Sequence, residues 1–468
     1  MPTLWGRYAR SHATVESSHF SVRSSSVSSR PKDKMETMTL TIAVVLIALA
    51  ALAGCTYNHK HFPTESGPLT GPDEFLVQVD DFGQFWDKGE AARALIRVAQ
   101  LAKTTNVIVV AFVHGWNHNA APDDENLRDF AKSMADTRFR LIDAANPESA
   151  IYRASRDNLT GTENLSVVSI YIGWRGRSLP WILNYATFWD RKAIAERVGE
   201  GDIREFLLRL NGLYRNQQSE RRNGKSQTFM GLTTFGHSFG GQVLFRAVST
   251  EIENELIART GAHGNSDTTS SEVSDLSGFG DLVVLINPAF EAMQFERISQ
   301  LSGRIRFGKQ QNPVLLVVSS AGDVARQILF PIGRQLDAIF LRPGFRPGQR
   351  ALWTQALGEY EPTRTHQIDI LDKHYPLTPA FDPSIYLEDA CSIASLDLTN
   401  VPSIAGVRLT PNQNHRANNP FIVAHASTSV VLDHSTVFET TLRKFLNDYV
   451  AIAQGKRILL NRSLPGCK

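Results

Sequence analysis

The residues whose types could do chemistry centre on a serine flanked by glycines. Ser238 stands in the run Gly236-His237-Ser238-Phe239-Gly240, and Gly241 follows it. The apolar segment Phe229 to Phe235 predicts a strand before this run, and Gln242 to Ile257 predicts a helix after it. A serine at so tight a turn needs small neighbours, and the turn lifts its hydroxyl to the C-terminal edge of a sheet. The pattern predicts a nucleophilic serine; the alternative is a glycine-rich turn without chemistry.

A nucleophilic serine needs a base, and the base needs an acid that orients it. The apolar run Val314 to Val318 predicts a buried strand that leads through four small residues to Asp323. An acid just past the C-terminal end of such a strand lies on the same sheet edge as a serine at a strand-to-helix turn. We therefore expect Asp323 to be the acid. Its alternative role is to cap a helix that begins at Val324, and one residue can do both.

Two histidines are candidates for the base. His434 lies in Leu432-Asp433-His434-Ser435, just before a predicted last helix from Val437 to Val450. A loop between the final strand and the final helix is where a base can reach the serine, so we favour His434. His425 lies inside the strand-like run Phe421 to Ala426, where we expect its side chain to point into a core. His237 neighbours the nucleophile, but we expect its side chain to point away from the serine.

The sequence does not predict a metal site. His114 and His118 are four residues apart, but Gly115 and an apolar run that ends at Val113 place them in a turn rather than on one helix face. No carboxylate follows in the H-E-x-x-H manner. The three cysteines are far apart in the sequence and form no C-x-x-C pair: Cys55, Cys391 and Cys467.

Strand-like and helical patterns alternate along the chain after residue 73. Further strands are predicted over Phe75 to Val79, Val107 to Val113, Leu165 to Trp174 and Leu282 to Ile286. Further helices are predicted over Glu90 to Ala102, Asp123 to Ala144, Arg191 to Val198 and Asp202 to Leu213. Such alternation favours an α/β fold with a mostly parallel sheet that helices cover on both faces.

Together these residues resemble the α/β-hydrolase superfamily, and most closely a poorly characterised bacterial branch of serine esterase- and lipase-like proteins. The resemblance rests on His114-Gly115-Trp116, on the serine turn, on Asp323 and on Asp433-His434-Ser435, and it covers Phe75 to Tyr449. In that branch a strand ends in Trp, and a Tyr and an Asp precede two helices. Here these residues would be Trp174, Tyr185 and Asp190.

The resemblance implies an α/β-hydrolase fold with an eight-strand-type sheet and a hydrolytic serine that needs neither cofactor nor metal. It also implies an oxyanion hole formed by the backbone N–H groups of Phe239 and Trp116, with Gly115 as the alternative to Trp116. His114 would be structural and would bond the loop backbone. The expected reaction is cleavage of a carboxylic ester or related acyl bond, in a small-molecule or lipid substrate, by Ser238, His434 and Asp323.

Two alternatives to an ester hydrolase stay open at this point. An acyltransferase or thioesterase would use the same triad, and a catalytically silent hydrolase fold could serve as a tethered binding protein of the cell envelope. The filled triad positions favour the enzyme. The fold is expected over residues 74–455 and a tail over 456–468. The stretch 341–420, long, irregular and rich in Pro, Gly and Asn, is an insertion before the catalytic histidine where a lid or substrate-binding subdomain could lie.

The first 54 residues predict a segment outside the fold. Residues 1–34 are serine-rich without apolar periodicity, which favours a disordered leader or residues upstream of a true start at Met35 or Met38. The apolar run Leu40 to Ala53 is shorter than the roughly 20 residues of a membrane-spanning helix. It matches the apolar part of a signal peptide over residues 35–54.

The apolar run ends in Leu52-Ala53-Gly54-Cys55, which resembles the bacterial lipobox, in which the cysteine is lipidated and becomes the new N-terminus. The alternative is a plain signal anchor with an incidental cysteine. Residues 55–73 are polar and rich in Pro and Gly, and predict a tether. Because Thr56 rather than Asp follows the cysteine, the expected location is the outer membrane of a bacterial cell envelope, facing the periplasm.

The amino-acid composition and net charge argue against some classes of binding partner. The 468 residues are 42% hydrophobic and 21% charged, with a formal net charge of +2 and no basic block, which argues against nucleic acid as the partner. Removal of residues 1–54 would leave a net charge of −1, so a lipid on Cys55 rather than charge would hold the chain on a membrane.

If Cys55 carries a lipid, the two remaining thiols lie in a compartment that favours disulfides. A bridge between Cys391 and Cys467 would close a long loop and would stabilise the fold by roughly 4.5 kcal/mol in the chain-entropy model. The alternative is a buried Cys391 and a free Cys467, and the sequence does not choose between them.

Overall fold

The computed structural model describes residues 39–44, 61–63, 67–142, 164–178, 187–261, 275–341, 344–371, 396–401 and 403–460. The chain divides into two compact units, Met1–Ala53 and Gly54–Lys468. In the first unit, residues 39–44 are helical. Among the described residues, none of the helices has the length and apolar character to cross a membrane.

The described part of the second unit contains one sheet of nine strands: β1 (Glu74–Gln78), β2 (Asn106–Val113), β3 (Leu165–Gly173), β4 (Met230–His237), β5 (Leu282–Ile286), β6 (Leu315–Ser320), β7 (His366–Ile370), β8 (Val407–Pro411) and β9 (Phe421–Ala426). Their spatial order is β1-β3-β2-β4-β5-β6-β9-β7-β8. Neighbouring strands are parallel, except that β7 and β8 are antiparallel. The predicted α/β class with a mostly parallel sheet is confirmed.

Helices connect the strands: α1 (Lys88–Thr104), α2 (Glu125–Leu141), α3 (Phe188–Glu200), α4 (Asp202–Arg222), α5 (Phe239–Gly261), α6 (Ala292–Ser302), α7 (Phe330–Leu341), α8 (Gln349–Thr354) and α9 (Thr440–Leu460). A π-helical turn, Ala325–Leu329, leads directly into α7. Aspartates begin the first two helices, because the side chains of Asp87 and Asp124 accept hydrogen bonds from the unpaired N–H groups of the first turn.

Helices cover both faces of the sheet. Alternate residues of a strand point to opposite faces. In β5, Val283 and Leu285 belong to a buried cluster that includes side chains of α1, α3, α4, α5 and α6, whereas Val284 and Ile286 belong to a cluster that includes side chains of α9. A third cluster packs α2 against β1, β2 and β3. Burial on both faces explains the continuous apolar runs of the central strands.

Parallel strands bring five positions of the chain to one edge of the sheet. Strands β2, β4, β5, β6 and β9 run in the same direction, so their C-terminal ends meet. Gly115, Ser238, Asn287 and Asp323 follow the first four of these ends, and the loop after β9 carries His434. Open parallel sheets bind ligands outside the carboxyl ends of their strands, so this edge is the place to look for a site.

The structure differs from the sequence-based expectations in two regions. The described sheet has nine strands, whereas the resemblance implied an eight-strand-type sheet. Two of the nine, β7 and β8, lie together with α8 in the stretch 341–420, which was predicted to be irregular. Both strands alternate buried and exposed residues, as a short two-stranded ribbon does. The last helix extends to Leu460, so residues 456–460, predicted as the start of a tail, are helical.

Candidate active site

The turn between β4 and α5 holds Ser238 in a conformation that few residues adopt. Its φ is 53°, in the left-handed region, where a residue with a side chain costs about 1–3 kcal/mol. The surrounding backbone fixes this geometry, because Ser238 N donates to the Ile286 carbonyl (3.0 Å) and Ser238 O accepts from Ala289 N (3.1 Å). The turn thus aims the serine side chain away from its own strand and holds it in one place.

The glycines around Ser238 are required by contact between backbone segments. A Cβ on Gly236 would lie 2.8 Å from the Gly240 carbonyl oxygen, and a Cβ on Gly240 would collide with the carbonyl oxygens of Val113 and His114. The first turn of α5 therefore packs directly on the end of β2. This is the steric reason for the small residues two positions either side of the serine.

Three distant residues form one hydrogen-bonded chain at this edge. His434 Nε2 lies 2.8 Å from Ser238 Oγ, and His434 Nδ1 lies 2.6 Å from Asp323 Oδ2. Ser238 is 2% exposed and Asp323 is fully buried, while the His434 side chain is 21% exposed. A carboxylate can only accept, so Nδ1 carries the hydrogen and Nε2 can accept the serine proton. The arrangement has the connectivity of a nucleophile, a base and an orienting acid.

Asp323 keeps its negative charge although it is buried. Burial alone would raise its pKa, but the adjacent His434 ring and then Arg326 together hold the pKa of Asp323 below its usual value. The Arg326 guanidinium lies 3.7 Å from Asp323 Oδ2, and Arg326 N donates to Oδ1 at 3.0 Å. The carboxylate therefore also caps the helical turn that follows it, so the two roles expected for Asp323 coexist.

Arg326 is a buried charge that the sequence reading did not single out. It is 1% exposed, and its guanidinium donates to Ser319 Oγ (3.1 Å), to the Leu357 carbonyl (2.8 Å) and to Glu359 Oε1 (3.0 Å). Removing one partner of a buried ion pair leaves an uncompensated charge that costs several kcal/mol. Arg326 thus ties the acid loop to the segment that leads into β7.

Asn287 and His237 hold the backbone of the loop that carries His434. Asn287 Nδ2 donates to the carbonyls of Asp433 (3.0 Å) and His434 (3.2 Å), and its Oδ1 accepts from Ser320 N (2.8 Å). His237 Nε2 lies 2.8 Å from the same His434 carbonyl. Burial, and then the neighbouring His434, keep the pKa of His237 well below its usual value. These contacts fix the position of the His434 backbone, from which the imidazole extends.

Replacement of Asn287 by aspartate should reduce turnover more than it affects substrate affinity. The change keeps the side-chain shape but sets an acceptor against two carbonyl oxygens, so the loop that carries His434 shifts. A displacement of about 1 Å at a reacting group can cost about 100-fold in rate. We expect kcat to fall by that order while KM changes little, as measured by steady-state kinetics.

Asn211→Asp is the matched control for this change. Asn211 is also buried, and its Oδ1 accepts from Gly280 N (3.0 Å), a bond that a carboxylate retains. Its kcat should stay at the level of the unmodified protein. Equal losses in the two variants, or a loss carried by KM alone, would mean that Asn287 does not position the base.

The residues expected to form an oxyanion hole lie around Ser238. A Cβ on Gly115 would lie 2.8 Å from Ser238 Cβ, so the backbone after β2 passes directly beside the nucleophile. Phe239 begins α5, where the first N–H groups of a helix have no acceptor within the helix. The Trp116 ring packs edge-on against Phe188 (centroids 5.1 Å apart), and Phe188 packs against Phe239 (4.8 Å). The three rings therefore pack on one another beside the serine, and those of Trp116 and Phe239 are buried.

A cavity of about 430 Å³ lies next to this group of aromatic side chains. Trp189, which packs edge-on against Phe188 (centroids 4.9 Å apart), forms part of its wall. Most of the other lining side chains are charged or polar and are paired with one another: Lys192, Glu196, Glu291, Arg334 and Asp337. The aromatic cluster beside Ser238 is thus continuous, through Phe188 and Trp189, with one wall of a polar cavity.

His114 is a structural residue in this arrangement. Its Nδ1 lies 2.9 Å from the Gly115 carbonyl, its Nε2 accepts from Trp174 N (3.0 Å), and its ring stacks on the Trp174 ring. His118 instead lies 3.2 Å from Asp124. In the part of the chain that the structure describes, no three His, Cys, Asp or Glu side chains are grouped as metal ligands would be.

The neutral state of His114 makes the fold sensitive to acid. Burial lowers the pKa of His114 to about 4, whereas the unfolded chain titrates near the usual value of about 6.5. Between these two pH values the His114 imidazole is protonated in the unfolded chain and neutral in the folded chain. The free energy of unfolding should therefore fall as the pH drops from 6.5 to 4, by at most about 1.4 kcal/mol per pH unit for this residue.

Urea unfolding at pH 7 and pH 5 measures this loss of stability. His114→Gln, which cannot titrate, should show a smaller difference between the two pH values than the unmodified protein. His366, whose pKa burial also lowers to about 4, remains in both proteins and serves as the common background. If the variant lost as much free energy of unfolding between pH 7 and pH 5 as the unmodified protein does, the role given to His114 would be wrong.

The remaining predicted residues are placed as follows. His425 lies in β9, half-buried, and Trp174 directly follows β3. Asp190, expected to precede two helices, lies instead in the first turn of α3. Four residues lie outside the described part of the chain: Cys55, Tyr185, Cys391 and Cys467. No protein-family model, curated protein or solved structure matches this chain.

Proposed function

We propose that this protein is a serine hydrolase of the α/β-hydrolase type that cleaves a carboxylic ester or related acyl bond. The observation that carries the proposal is the hydrogen-bonded chain from Ser238 through His434 to Asp323. Its members come from three loops at one edge of a mostly parallel sheet. The mixed nine-stranded sheet is compatible with this fold type, and the strand–turn–helix around Ser238 fits its nucleophile turn.

In the proposed first half-reaction, Ser238 Oγ attacks the carbonyl carbon of the ester while His434 Nε2 takes the serine proton. The negative charge that develops on the carbonyl oxygen is stabilised by the backbone N–H groups of Phe239 and Trp116, or of Gly115 in place of Trp116. Asp323 stabilises the imidazolium that forms. His434 then gives its proton to the leaving alcohol, and the acyl group remains on Ser238.

In the second half-reaction, His434 takes a proton from a water molecule, whose oxygen attacks the acyl-enzyme. Collapse of the second tetrahedral intermediate breaks the ester bond to Ser238, returns the proton to its Oγ and releases the acid. These steps need only this chain's residues and water.

A fluorophosphonate probe tests the assignment of the nucleophile. The probe forms a covalent bond with an activated serine and loses fluoride, so the adduct should be found on the peptide that contains Ser238. Heat-denatured protein should not react, because the activation depends on His434. A native protein that stays unlabelled would favour the catalytically silent, tethered binding protein instead.

We also propose that the mature chain is a lipoprotein of a bacterial cell envelope, anchored through Cys55. The proposal is supported by the apolar run that ends in Leu52-Ala53-Gly54-Cys55. Mass spectrometry of the membrane fraction should find Cys55 acylated at the N-terminus and no peptide from residues 1–54. A protein that retains residues 35–54 without a lipid would refute the anchor.

A further inference from the structure

A row of exposed aliphatic side chains follows the acid of the triad. The π-helical turn Ala325–Leu329 and α7 form a continuous helical segment. Six large apolar side chains on or next to it are each between 47 and 60% exposed: Val324, Ile328, Leu329, Ile332, Leu336 and Ile339. Their spacing of mostly three and four residues places them along one side of the segment. We call these six residues the aliphatic stripe.

The aliphatic stripe carries no charge. Among residues 324–339, the other exposed side chains are those of Gln327 and Gln335. Arg326 and Arg334 are buried, and Asp337 pairs with Arg334 at 2.7 Å. A surface helix normally turns charged residues outward and apolar residues inward. This segment shows the reverse, and an exposed contiguous apolar surface of this kind marks an interaction site.

The aliphatic stripe is continuous with the candidate active site. It begins at Val324, the residue after Asp323. Leu432, two residues before His434, is 56% exposed. Its carbonyl oxygen lies against Gly322, where a Cβ would collide with it. The loops that carry Asp323 and His434 therefore pack on each other where the aliphatic stripe begins, and a ligand bound at that end of the stripe lies next to both loops.

The composition of the aliphatic stripe points to hydrocarbon rather than to another protein. Protein interfaces draw most of their binding energy from Trp, Tyr and Arg, and none of these is among its exposed residues. Binding of an apolar helix face at a lipid surface grows with the apolar area that it buries. We propose that the aliphatic stripe docks on a zwitterionic lipid surface and that the substrate is an acyl ester held in that surface. The second clause rests on the proposed function.

Hydroxyl-radical footprinting of the full chain tests the docking without any need for turnover. Oxidation of the exposed aliphatic side chains is measured with and without phosphatidylcholine vesicles. Ile96 and Ile257, exposed on α1 and α5, are internal controls on the same molecule. We expect oxidation of the stripe to fall at least fivefold relative to Ile96 when vesicles are present. This comparison is needed because residues 40–53 can attach the chain to vesicles by themselves.

If something other than a lipid surface covered the aliphatic stripe, the oxidation pattern would differ. Each of the following patterns would overturn the proposal. A second copy of the chain would protect the stripe without vesicles, and the protection would grow with protein concentration. Another segment of the same chain would protect it at every concentration. Equal oxidation of the stripe with and without vesicles would show that the lipid surface does not reach it.

The kinetics of the double variant Ile332→Glu/Leu336→Glu test whether the protein takes its substrate from the lipid surface. Both side chains point to solvent, so the variant should unfold at the same temperature as the parent. We expect at least a tenfold loss of turnover on a long-chain ester dispersed in phosphatidylcholine vesicles. Turnover of a dissolved butyrate ester should change by less than about twofold. Ile96→Glu, the matched control, should leave both rates unchanged.

The outcomes separate the two proposals. Protection of the aliphatic stripe in a protein that hydrolyses neither ester would refute the hydrolase and leave the docking in place. Equal losses on both esters in the double variant would refute delivery from the lipid surface while the hydrolase stands.

Discussion

Ser238→Ala is expected to abolish ester turnover in a protein that remains folded. The change removes the only oxygen that His434 Nε2 contacts in the triad and leaves the backbone of the turn with the same hydrogen bonds. Loss of a triad member costs several orders of magnitude in kcat, typically about 10⁴–10⁶-fold, because the residues act as a unit. Initial rates on a chromogenic acyl ester, with the thermal unfolding temperature as the check of folding, measure the effect.

Ser302→Ala is the matched control for the nucleophile. Ser302 is also 2% exposed, and its hydroxyl donates to the Ser299 carbonyl of its own helix. Its rate should equal that of the unmodified protein. If Ser238→Ala turned over the ester as fast as this control, the proposed mechanism would be wrong.

His434→Ala should reduce turnover as far as Ser238→Ala does, within error. Without the imidazole, the serine proton has no acceptor and Asp323 is left as a buried charge without the ring that lowers its pKa. The double variant should be no slower than either single variant, since one missing member already disables the unit. Single-turnover rates of the three variants make the comparison.

His425→Ala is the control for the choice between the two histidines. His425 lies within β9, and burial lowers its pKa to about 4. Its replacement should lower the stability of the sheet and leave kcat unchanged in the folded fraction. If His425→Ala were the inactive variant and His434→Ala the active one, the base would lie on the strand and not in the loop after it.

The strand–turn–helix around Ser238 could be predicted because its signal is local. Ser238 needs glycines at fixed positions, a strand before it and a helix after it, and all of these lie within a short stretch of sequence. The contacts that the structure adds for Asp323 and His434 join residues 111 positions apart. The sequence could suggest them only through the rule that acids and bases follow the ends of buried strands.

The supporting residues were missed because their partners are distant. Asn287 directly follows β5 and could have been found by the rule that found Asp323, but a single asparagine before a proline is also typical of a turn. Its contacts with Ser320 and His434 depend on the end of β6 and on the loop after β9. Arg326 gives no signal at all in the sequence, since nearly every arginine is exposed and nothing nearby predicts that Glu359 meets it.

Strands β7 and β8 were missed for a different reason. Each has only five residues, with apolar side chains at alternate positions, and the residues around them are rich in Pro, Gly and Asn. Such a short alternating pattern is a much weaker sequence signal for a strand than the long apolar runs of the central strands. Composition over the whole stretch 341–420 therefore outweighed the two local signals.

The position of β9 in the sheet gives the chain an order of assembly. Among the described strands β9 is the last in the sequence, yet it lies between β6 and β7. During synthesis the ribbon of β7 and β8 is complete before the strand on which it must rest has been made. The same late strand brings the loop with His434 to Ser238. The hydrogen-bonded chain of Ser238, His434 and Asp323 can therefore form only after β9, made late in synthesis, has been inserted between β6 and β7.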